Sequence, residues 1–186
     1  MSDSTPDRDK PGSDDVWITS DLDEKTSTYR VKISYGQDRS IGLGPNEALR
    51  YASAVLEARI RAMHDAAVIR QLHRKLTVPL QMCGQAVAAL RADRAPLNHK
   101  ATRPLMLEPG VSQELEPFLA VHIDGKRVGQ WDVKQAYEHA LGVLEVVSAA
   151  DLDAAYYRYL IGPSHGIDKG RASNMVGDLA NFMEYE

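Results

Sequence analysis

The feature that most constrains the fold of this chain is an internal duplication. When residues 48–72 (ALRYASAVLEARIRAMHDAAVIRQL) are shifted by 88 positions, they align without a gap with residues 136–160 (AYEHALGVLEVVSAADLDAAYYRYL), and 11 of 25 positions are identical. Five identities are alanine, but the other six mix apolar and charged types, which composition alone does not readily produce. They are Val55/Val143, Leu56/Leu144, Glu57/Glu145, Asp65/Asp153, Arg70/Arg158 and Leu72/Leu160. The chain is therefore expected to build one module twice.

Each repeat is predicted to begin with a pair of strands. In the first repeat, apolar and polar side chains alternate over residues 28–35 (TYRVKISY), and the turn GQDR leads into a short strand, SIGL. In the second repeat, the runs FLAVHI and KRVGQW are joined by Asp124-Gly125. A DG pair between two such runs is a strong hairpin signal. Both repeats are therefore expected to contain a β-hairpin.

Each hairpin is followed by a long helix that carries its own start signal. Pro45 takes the first helical position of the first repeat, and Asp132 takes the N-cap position of the second. Apolar residues recur at three- and four-residue steps and predict one buried stripe on each helix. The predicted members are Ala48, Ala52, Val55, Leu56, Ile60 and Met63 in the first repeat, and Ala136, Ala140, Leu144 and Val147 in the second. A shorter helix is expected to follow in each repeat.

The fold class expected from this pattern is α+β, predominantly helical, with two β-β-α-α modules packed as an internal pseudo-dimer. Residues 1–15 are rich in Ser, Asp, Pro and Lys and are predicted to be a disordered acidic tail. The first module is assigned to residues 16–95 and the second to residues 117–186. Residues 96–116 lie between the modules, and a proline-rich composition predicts an extended linker there.

The composition excludes several classes of protein. No apolar run approaches the roughly 18 residues that a membrane span requires, and the N-terminus has no apolar core of a signal peptide. We therefore expect a cytoplasmic protein with no membrane partner. The single cysteine, Cys83, excludes an internal disulfide, and its apolar surroundings predict a small buried side chain.

No group of residues carries a recognisable catalytic or metal-binding signature. The histidines lack the paired spacing of a zinc site, and no phosphate loop, dinucleotide fingerprint or nucleophile elbow occurs. The loop with Ser164, His165 and Asp168 is interpreted as the end of one helix and the N-cap of the next. An enzyme that used His122, His139 or this loop would need those groups in one cleft. We therefore predict no catalytic residues, no metal and no cofactor.

The charged positions that recur in both repeats are interpreted as a structural ion network. They are Glu57 and Glu145, Asp65 and Asp153, and Arg70 and Arg158. Glu57 precedes Arg61 by four residues, which is the favourable direction for a helical ion pair. Arg70 lies close to the apolar stripe, and Asp65, Asp153 and Glu145 are its candidate partners.

The net charge of −4 is unevenly distributed along the chain. Residues 28–95 carry 11 bases and five acids, whereas residues 117–186 carry six bases and ten acids. A basic module can attract the acidic module or can contact phosphates. The residues that would contact nucleic acid are Arg59, Arg70, Arg74, Arg30, Lys32 and Arg39. The first three project to one side of a helix at about 100° per residue.

The succession of a strand, a DG or QD turn, a capped Ala/Glu helix and the closing stretch PLQMCGQAVAALRADRAPL resembles small uncharacterised proteins of actinobacteria and their phages. The resemblance covers residues 28–184. It implies a source for the chain, and it implies no activity for any residue.

Because no convergent catalytic set is visible, the sequence favours a non-enzymatic intracellular protein that binds a macromolecular partner. That partner is expected to be another protein or a second molecule of the same chain, in a phage-encoded or regulatory setting. One alternative is a DNA-binding regulator that uses the basic first module. The other is a small enzyme of unknown reaction.

Overall fold

The structure is a computed structural model that describes residues 16–23, 26, 28–35, 39–97 and 105–183. The predicted acidic tail lies outside the described residues, as do most of the GQDR turn and residues 98–104 of the predicted linker. The strands are β1 (Val16–Asp23), β2 (Thr28–Tyr35), β3 (Arg39–Leu43), β4 (Leu105–Val111), β5 (Pro117–Ile123) and β6 (Lys126–Asp132). The helices are α1 (Pro45–Arg70), α2 (Leu80–Ala92), α3 (Val133–Ile161) and α4 (Lys169–Met183).

The fold is α+β with more helix than strand, as the sequence predicts, but each repeat has three strands rather than two. The element order is β-β-β-α-α in both halves, and each element of the second half begins 87–89 residues after its counterpart. The duplication therefore extends beyond the aligned helices to every element. Among the described residues, no helix is both long enough and apolar enough to cross a membrane.

The additional strand is the first one of each repeat. β4 falls inside residues 96–116, so the prediction of an extended linker is wrong for residues 105–111. The strand contains Pro109, but it lies at the edge of its sheet and pairs only with β5, and proline is tolerated at sheet edges. Leu105 and Leu107 are fully buried at alternating positions, and this burial holds the strand against the core.

Both sheets are antiparallel and three-stranded, in the orders β1-β2-β3 and β4-β5-β6. In β2, Val31 and Ile33 are fully buried at alternating positions, which confirms the predicted half-buried strand. Asp124 and Gly125 both have positive φ, at 50° and 76°, as a two-residue hairpin turn requires. The predicted hairpin of the second repeat is therefore confirmed.

The predicted helix starts are also confirmed. Oδ1 of Asp132 accepts hydrogen bonds from the backbone N–H groups of Lys134 and Gln135 at 2.7 and 2.8 Å. Oε1 of Gln135 accepts a hydrogen bond from the N–H of Asp132 at 2.9 Å, which completes a capping box. α1 begins at Pro45 and continues at its far end into a π-helical turn, Gln71–Lys75.

The buried stripe of the long helices differs in part from the predicted one. Val55 and Val143 are fully buried, whereas Leu56 and Leu144 beside them are only half-buried. Ile60 and Met63 are 60% and 43% exposed, so their assignment to the core is wrong. The stripe instead runs through alanines, whose small side chains let neighbouring elements pack closely. The positions buried in both repeats are Ala48/Ala136, Ala52/Ala140, Val55/Val143, Ala62/Ala150 and Ile69/Tyr157.

The chain forms two compact units, and neither coincides with one repeat. The terminal unit consists of Met1–Pro45 and Glu145–Glu186, and the middle unit consists of Asn46–Leu144. The terminal unit thus combines β1–β3 of the first repeat with most of α3 and with α4 of the second. The middle unit combines β4–β6 and the first part of α3 of the second repeat with α1 and α2 of the first. The predicted modules, residues 16–95 and 117–186, therefore do not describe the compact units.

The two units have cores at equivalent positions. In the terminal unit, Leu22 and Tyr29 pack with the helices of the second repeat. In the middle unit, Val111 and Leu115 pack with the helices of the first repeat. The equivalent members of the two cores are Leu22/Val111, Ile69/Tyr157, Leu72/Leu160, Cys83/Ala172 and Val87/Val176. Each core therefore joins strands of one repeat to helices of the other.

We expect Val55→Ala and Val143→Ala each to lower the free energy of unfolding by about 2 kcal/mol, because each removes two buried methyl groups and leaves a cavity. Leu152→Ala is the matched control: it removes a larger side chain from an exposed position and should cost less than about 1 kcal/mol. Urea denaturation measures all three. An equal loss in the control would contradict the observed stripe.

Candidate functional site

The arginines of α1 that project to one side in the sequence analysis have separate partners. Arg59 donates Nε–H to the carbonyl oxygen of Val133 at 2.8 Å, and its guanidinium carbon lies 5.2 Å from the centroid of the Tyr137 ring. Arg70 forms an ion pair with Glu116 at 3.0 Å, rather than with any of the three carboxylates expected from the sequence. Both arginines are therefore engaged with protein groups.

Arg74 differs from these two arginines because it lies in the π-helical turn. A π-helix has more residues per turn than an α-helix, so a projection at about 100° per residue no longer holds beyond Arg70. Arg74 is exposed. The prediction that Arg59, Arg70 and Arg74 share one face assumed a regular α-helix as far as Arg74, but the α-helix ends at Arg70.

The basic residues of the first hairpin are paired across the sheet. Arg30 lies 2.9 Å from Asp23, and Lys32 lies 3.3 Å from Asp21. Strand register places both pairs on diagonals between β1 and β2. Arg39 is exposed at the start of β3. The two carboxylates of β1 thus balance the two cations of β2. These four side chains together carry no net charge that would attract phosphates.

Asp65 is the buried centre of an ion cluster in the middle unit, and its arginine partners are partly exposed. Its side chain is fully buried on α1, and Oδ2 accepts a hydrogen bond from Nε–H of Arg91 at 2.7 Å. Nη1 of Arg94 lies 2.8 Å from Oδ1 of Asp65, which is ion-pair distance, although the two groups are not aligned for a hydrogen bond. Nη2 of Arg94 lies 3.0 Å from Nδ1 of His64. The cluster therefore ties the end of α2 to α1.

The other repeated charges lie outside this cluster and have separate contacts. Asp153, the counterpart of Asp65, accepts a hydrogen bond from the hydroxyl of Ser20 at 2.8 Å. Arg158 donates Nε–H to the carbonyl oxygen of Ala154 on its own helix at 3.0 Å. Glu57 pairs with Arg61 across one helical turn, as predicted. Glu145 is exposed.

Arg61, Arg91 and Arg94 also line a cavity of about 330 Å³ beside Glu108 and apolar residues of the middle unit. All three arginines already contact carboxylates, because Arg61 pairs with Glu57 and the other two pair with Asp65. An anionic ligand would have to compete with these ion pairs. The cavity is therefore a weaker candidate than the exposed surfaces of the unit.

Tyr51 and His139 form a polar pair in the middle unit, in which Tyr51 is buried and His139 is half-buried. The Tyr51 hydroxyl lies 2.9 Å from Nε2 of His139, and the His139 ring lies 4.6 Å from the ring of Trp131. Burial lowers the pKa of His139 to about 4 and raises the pKa of Tyr51 above its usual range. Both groups are therefore neutral near pH 7, which fits a structural pair better than an acid–base pair.

The remaining candidates for chemistry have other structural contacts. His122 lies 3.4 Å from Glu108 on the neighbouring strand, and the ring of His165 lies 4.3 Å from the ring of Tyr159. Asp168 accepts a hydrogen bond from the N–H of Arg171 at 3.0 Å, which confirms the predicted N-cap of α4. Among the described residues, no group of three His, Cys, Asp or Glu side chains could hold a metal ion.

The most unusual surface of the middle unit is α2. Its sequence, LQMCGQAVAALRA, contains one charged residue, but the helix buries only Cys83 and Val87. The burial of Cys83 confirms the prediction made for it. Leu80, Met82 and Leu90 are 47%, 57% and 43% exposed. A helix that is apolar around its circumference is normally covered on more than one side.

Exposed cations precede this apolar helix. Arg74 and Lys75 lie in the π-helical turn, and Leu76 after them is 63% exposed. Within the part of the chain that the structure describes, neither cation is placed in an ion pair. We call this region the α2 surface, defined by Arg74, Lys75, Leu76, Leu80, Met82 and Leu90. The apolar members of this surface were not predicted, because only Cys83 was singled out in the sequence of α2.

Comparisons of the chain with protein-family models, with curated proteins and with solved structures gave no match.

The ion cluster around the buried Asp65 predicts an asymmetric response to mutation. Replacing Arg91 and Arg94 together by Met should lower the free energy of unfolding by about 3–5 kcal/mol, because the Asp65 carboxylate stays buried without a cation. Adding Asp65→Leu should recover most of that loss. Arg70→Met removes an exposed pair and should cost no more than about 1 kcal/mol. Urea denaturation measures these differences. A triple variant that is no more stable than the double variant would contradict the pairing of Asp65 with the two arginines.

The Tyr51–His139 pair predicts an acid-sensitive stability. In the unfolded chain His139 takes up a proton near pH 6.5, but in the folded protein it does so only near pH 4. The stability from this residue is therefore complete above pH 6.5 and falls by up to about 3 kcal/mol as the pH decreases to 4. His139→Gln should remove that component, so the stability difference between the two proteins should shrink toward pH 4. A constant difference would contradict the buried neutral state.

Proposed function

We propose that the protein acts by binding another protein, and that the α2 surface is its docking site. The main support for this proposal is that α2 has a largely apolar sequence, yet only two of its residues are buried. Exposed apolar patches of this kind mark interaction surfaces in soluble proteins. Met82 adds a flexible side chain that adapts to the shape of a partner.

The second repeat supplies an internal comparison. Aligning the buried Val87 with the buried Val176 places Lys169 and Arg171 of α4 at the positions of Leu80 and Met82. α4 therefore forms the same element with charged residues at these exposed positions. Since the fold does not require apolar side chains there, Leu80 and Met82 are best explained by a partner.

The chemistry of the partner follows from the charges beside the apolar helix. Arg74 and Lys75 favour carboxylates, whereas Leu76, Leu80 and Met82 favour apolar side chains. An amphipathic helix with an acidic flank combines both properties, and helices commonly bind by laying an apolar face on such a surface. We therefore propose an acidic amphipathic segment of another protein as the ligand.

The nucleic-acid alternative is weaker because most of its residues already have partners. Arg59 bonds to Val133, Arg70 pairs with Glu116, and the cations of β2 pair with acids of β1. Phosphate contacts would have to displace these interactions. The enzyme alternative is weaker still, since His122, His139 and His165 each contact a different protein group.

We also propose that the two repeats are arranged as an internal pseudo-dimer. Tyr51 and His139 are separated by the 88-residue shift of the repeat, so their hydrogen bond joins equivalent positions of α1 and α3. Equivalent residues meet in this way close to a local two-fold axis. The sharing of strands and helices between repeats in both cores supports the same arrangement.

The test uses Leu80→Lys/Met82→Arg, which gives α2 the residues of α4. Fluorescence anisotropy would measure binding of a synthetic amphipathic helical peptide with Leu on one face and Glu on the other, and separately of a random-sequence DNA duplex. We expect the peptide to bind the natural protein and the variant to bind it about 10-fold more weakly, because the apolar contact is lost. Binding of DNA should be absent from both proteins.

Two controls sharpen this test. Leu152→Lys changes an exposed leucine of the terminal unit and should leave peptide binding unchanged. A peptide with Lys in place of Glu should bind weakly because it meets Arg74 and Lys75. No peptide binding by the natural protein, or DNA binding that the two added cations strengthen, would contradict the proposal.

A further inference from the structure

A second exposed apolar surface runs along α1. Leu49, Ile60 and Met63 are 41%, 60% and 43% exposed, and Leu56 between them is half-buried. Their spacing alternates between three and four residues once Ser53 and Ala67, both exposed, are included. That alternation is the a/d pattern of a helix that packs lengthwise against another helix. We call this set the α1 seam: Leu49, Ser53, Leu56, Ile60, Met63 and Ala67.

The second repeat does not keep the seam along its whole length. Ser148 and Asp151 of α3 stand at the positions of Ile60 and Met63. α3 is nevertheless a continuous helix of 29 residues, so a long helix of this repeat does not need apolar groups at those positions. The apolar character of Ile60 and Met63 therefore calls for a contact outside the unit.

We propose that the α1 seam pairs with the same seam of a second molecule, which gives a two-fold symmetric antiparallel dimer. A single apolar stripe is complementary to itself when two copies of a helix pack together. In this arrangement Ile60 of one molecule packs against Leu49 of the other, and Leu56 packs against Ser53. This surface lies on α1 and is independent of the α2 surface.

The charges beside the seam favour the antiparallel orientation. Arg50 and Glu57 occupy the e positions of successive heptads when Ile60 is an a position. Antiparallel helices bring e positions together, so Arg50 of each molecule lies beside Glu57 of the other and the pair forms twice. Parallel helices would place the e positions beside g positions, two of which are Ala52 and Ala66, and the charge pairs would be lost. Glu57 is 53% exposed although it also pairs with Arg61, so it remains accessible to a second cation.

The test measures the mass of the full chain by sedimentation equilibrium. We expect a concentration-dependent dimer for the natural protein, and a monomer for Ile60→Ser/Met63→Asp, which takes the residues of the second repeat. Leu152→His is the matched control: it replaces an exposed leucine outside the seam by its counterpart in the first repeat, His64, and should remain dimeric. Circular dichroism with urea denaturation checks that all three proteins are folded.

A charge exchange tests the orientation. Arg50→Glu should weaken the dimer about 10-fold by placing like charges together, and Arg50→Glu/Glu57→Arg should restore it because the pair is reformed with opposite signs. A natural protein that stays monomeric at its highest soluble concentration would overturn the proposal. A folded Ile60→Ser/Met63→Asp variant that keeps the dimer mass would overturn it as well, and an unrestored double exchange would overturn the antiparallel arrangement.

Discussion

In each of the two cores, residues from the strand region of one repeat pack with helices of the other repeat, and both cores depend on this sharing. The ring of Tyr29 on β2 lies edge-on to Tyr157 of α3 with 6.0 Å between centroids, and Ser20 on β1 donates a hydrogen bond to Asp153. Burial is the main cause that raises the pKa of Tyr29, followed by the charge of Asp153. In the middle unit, Leu115 packs with helices of the first repeat. Neither repeat alone therefore contains all the residues of a core.

The duplication also separates the requirements of the fold from those of function. Positions that pack inside, such as Val55 and Val143, are apolar in both repeats, because a charged group there would lose its hydration. Exposed positions have diverged, and the first repeat places apolar residues where the second has Lys169, Arg171, Ser148 and Asp151. At these positions the outward-facing surfaces of α1 and α2 carry apolar residues that folding does not explain.

Local patterns predicted the local structure well. The hairpin at Asp124-Gly125, the capping box of Asp132 and the Glu57–Arg61 pair all depend on residues within a few positions of each other.

β4 was missed because Pro109 and Gly110 argue against a strand unless its edge position is known. The partners of Asp65 were missed because Arg91 and Arg94 reach it only after α2 folds back on α1. The Tyr51–His139 pair was visible as an aligned pair of positions, but alignment alone does not show that two equivalent residues meet.

Fragment complementation tests the sharing of helices between the two cores most directly. Residues 1–97 and residues 105–186 would be produced separately, and helix content and urea denaturation would be measured for each fragment and for an equimolar mixture. We expect each fragment alone to lack a cooperative unfolding transition, because Tyr29 is separated from Tyr157 and Ile69 from Leu115, and we expect mixing to restore the transition. Cooperative unfolding of either fragment alone, unchanged on mixing, would contradict the sharing of helices between the cores.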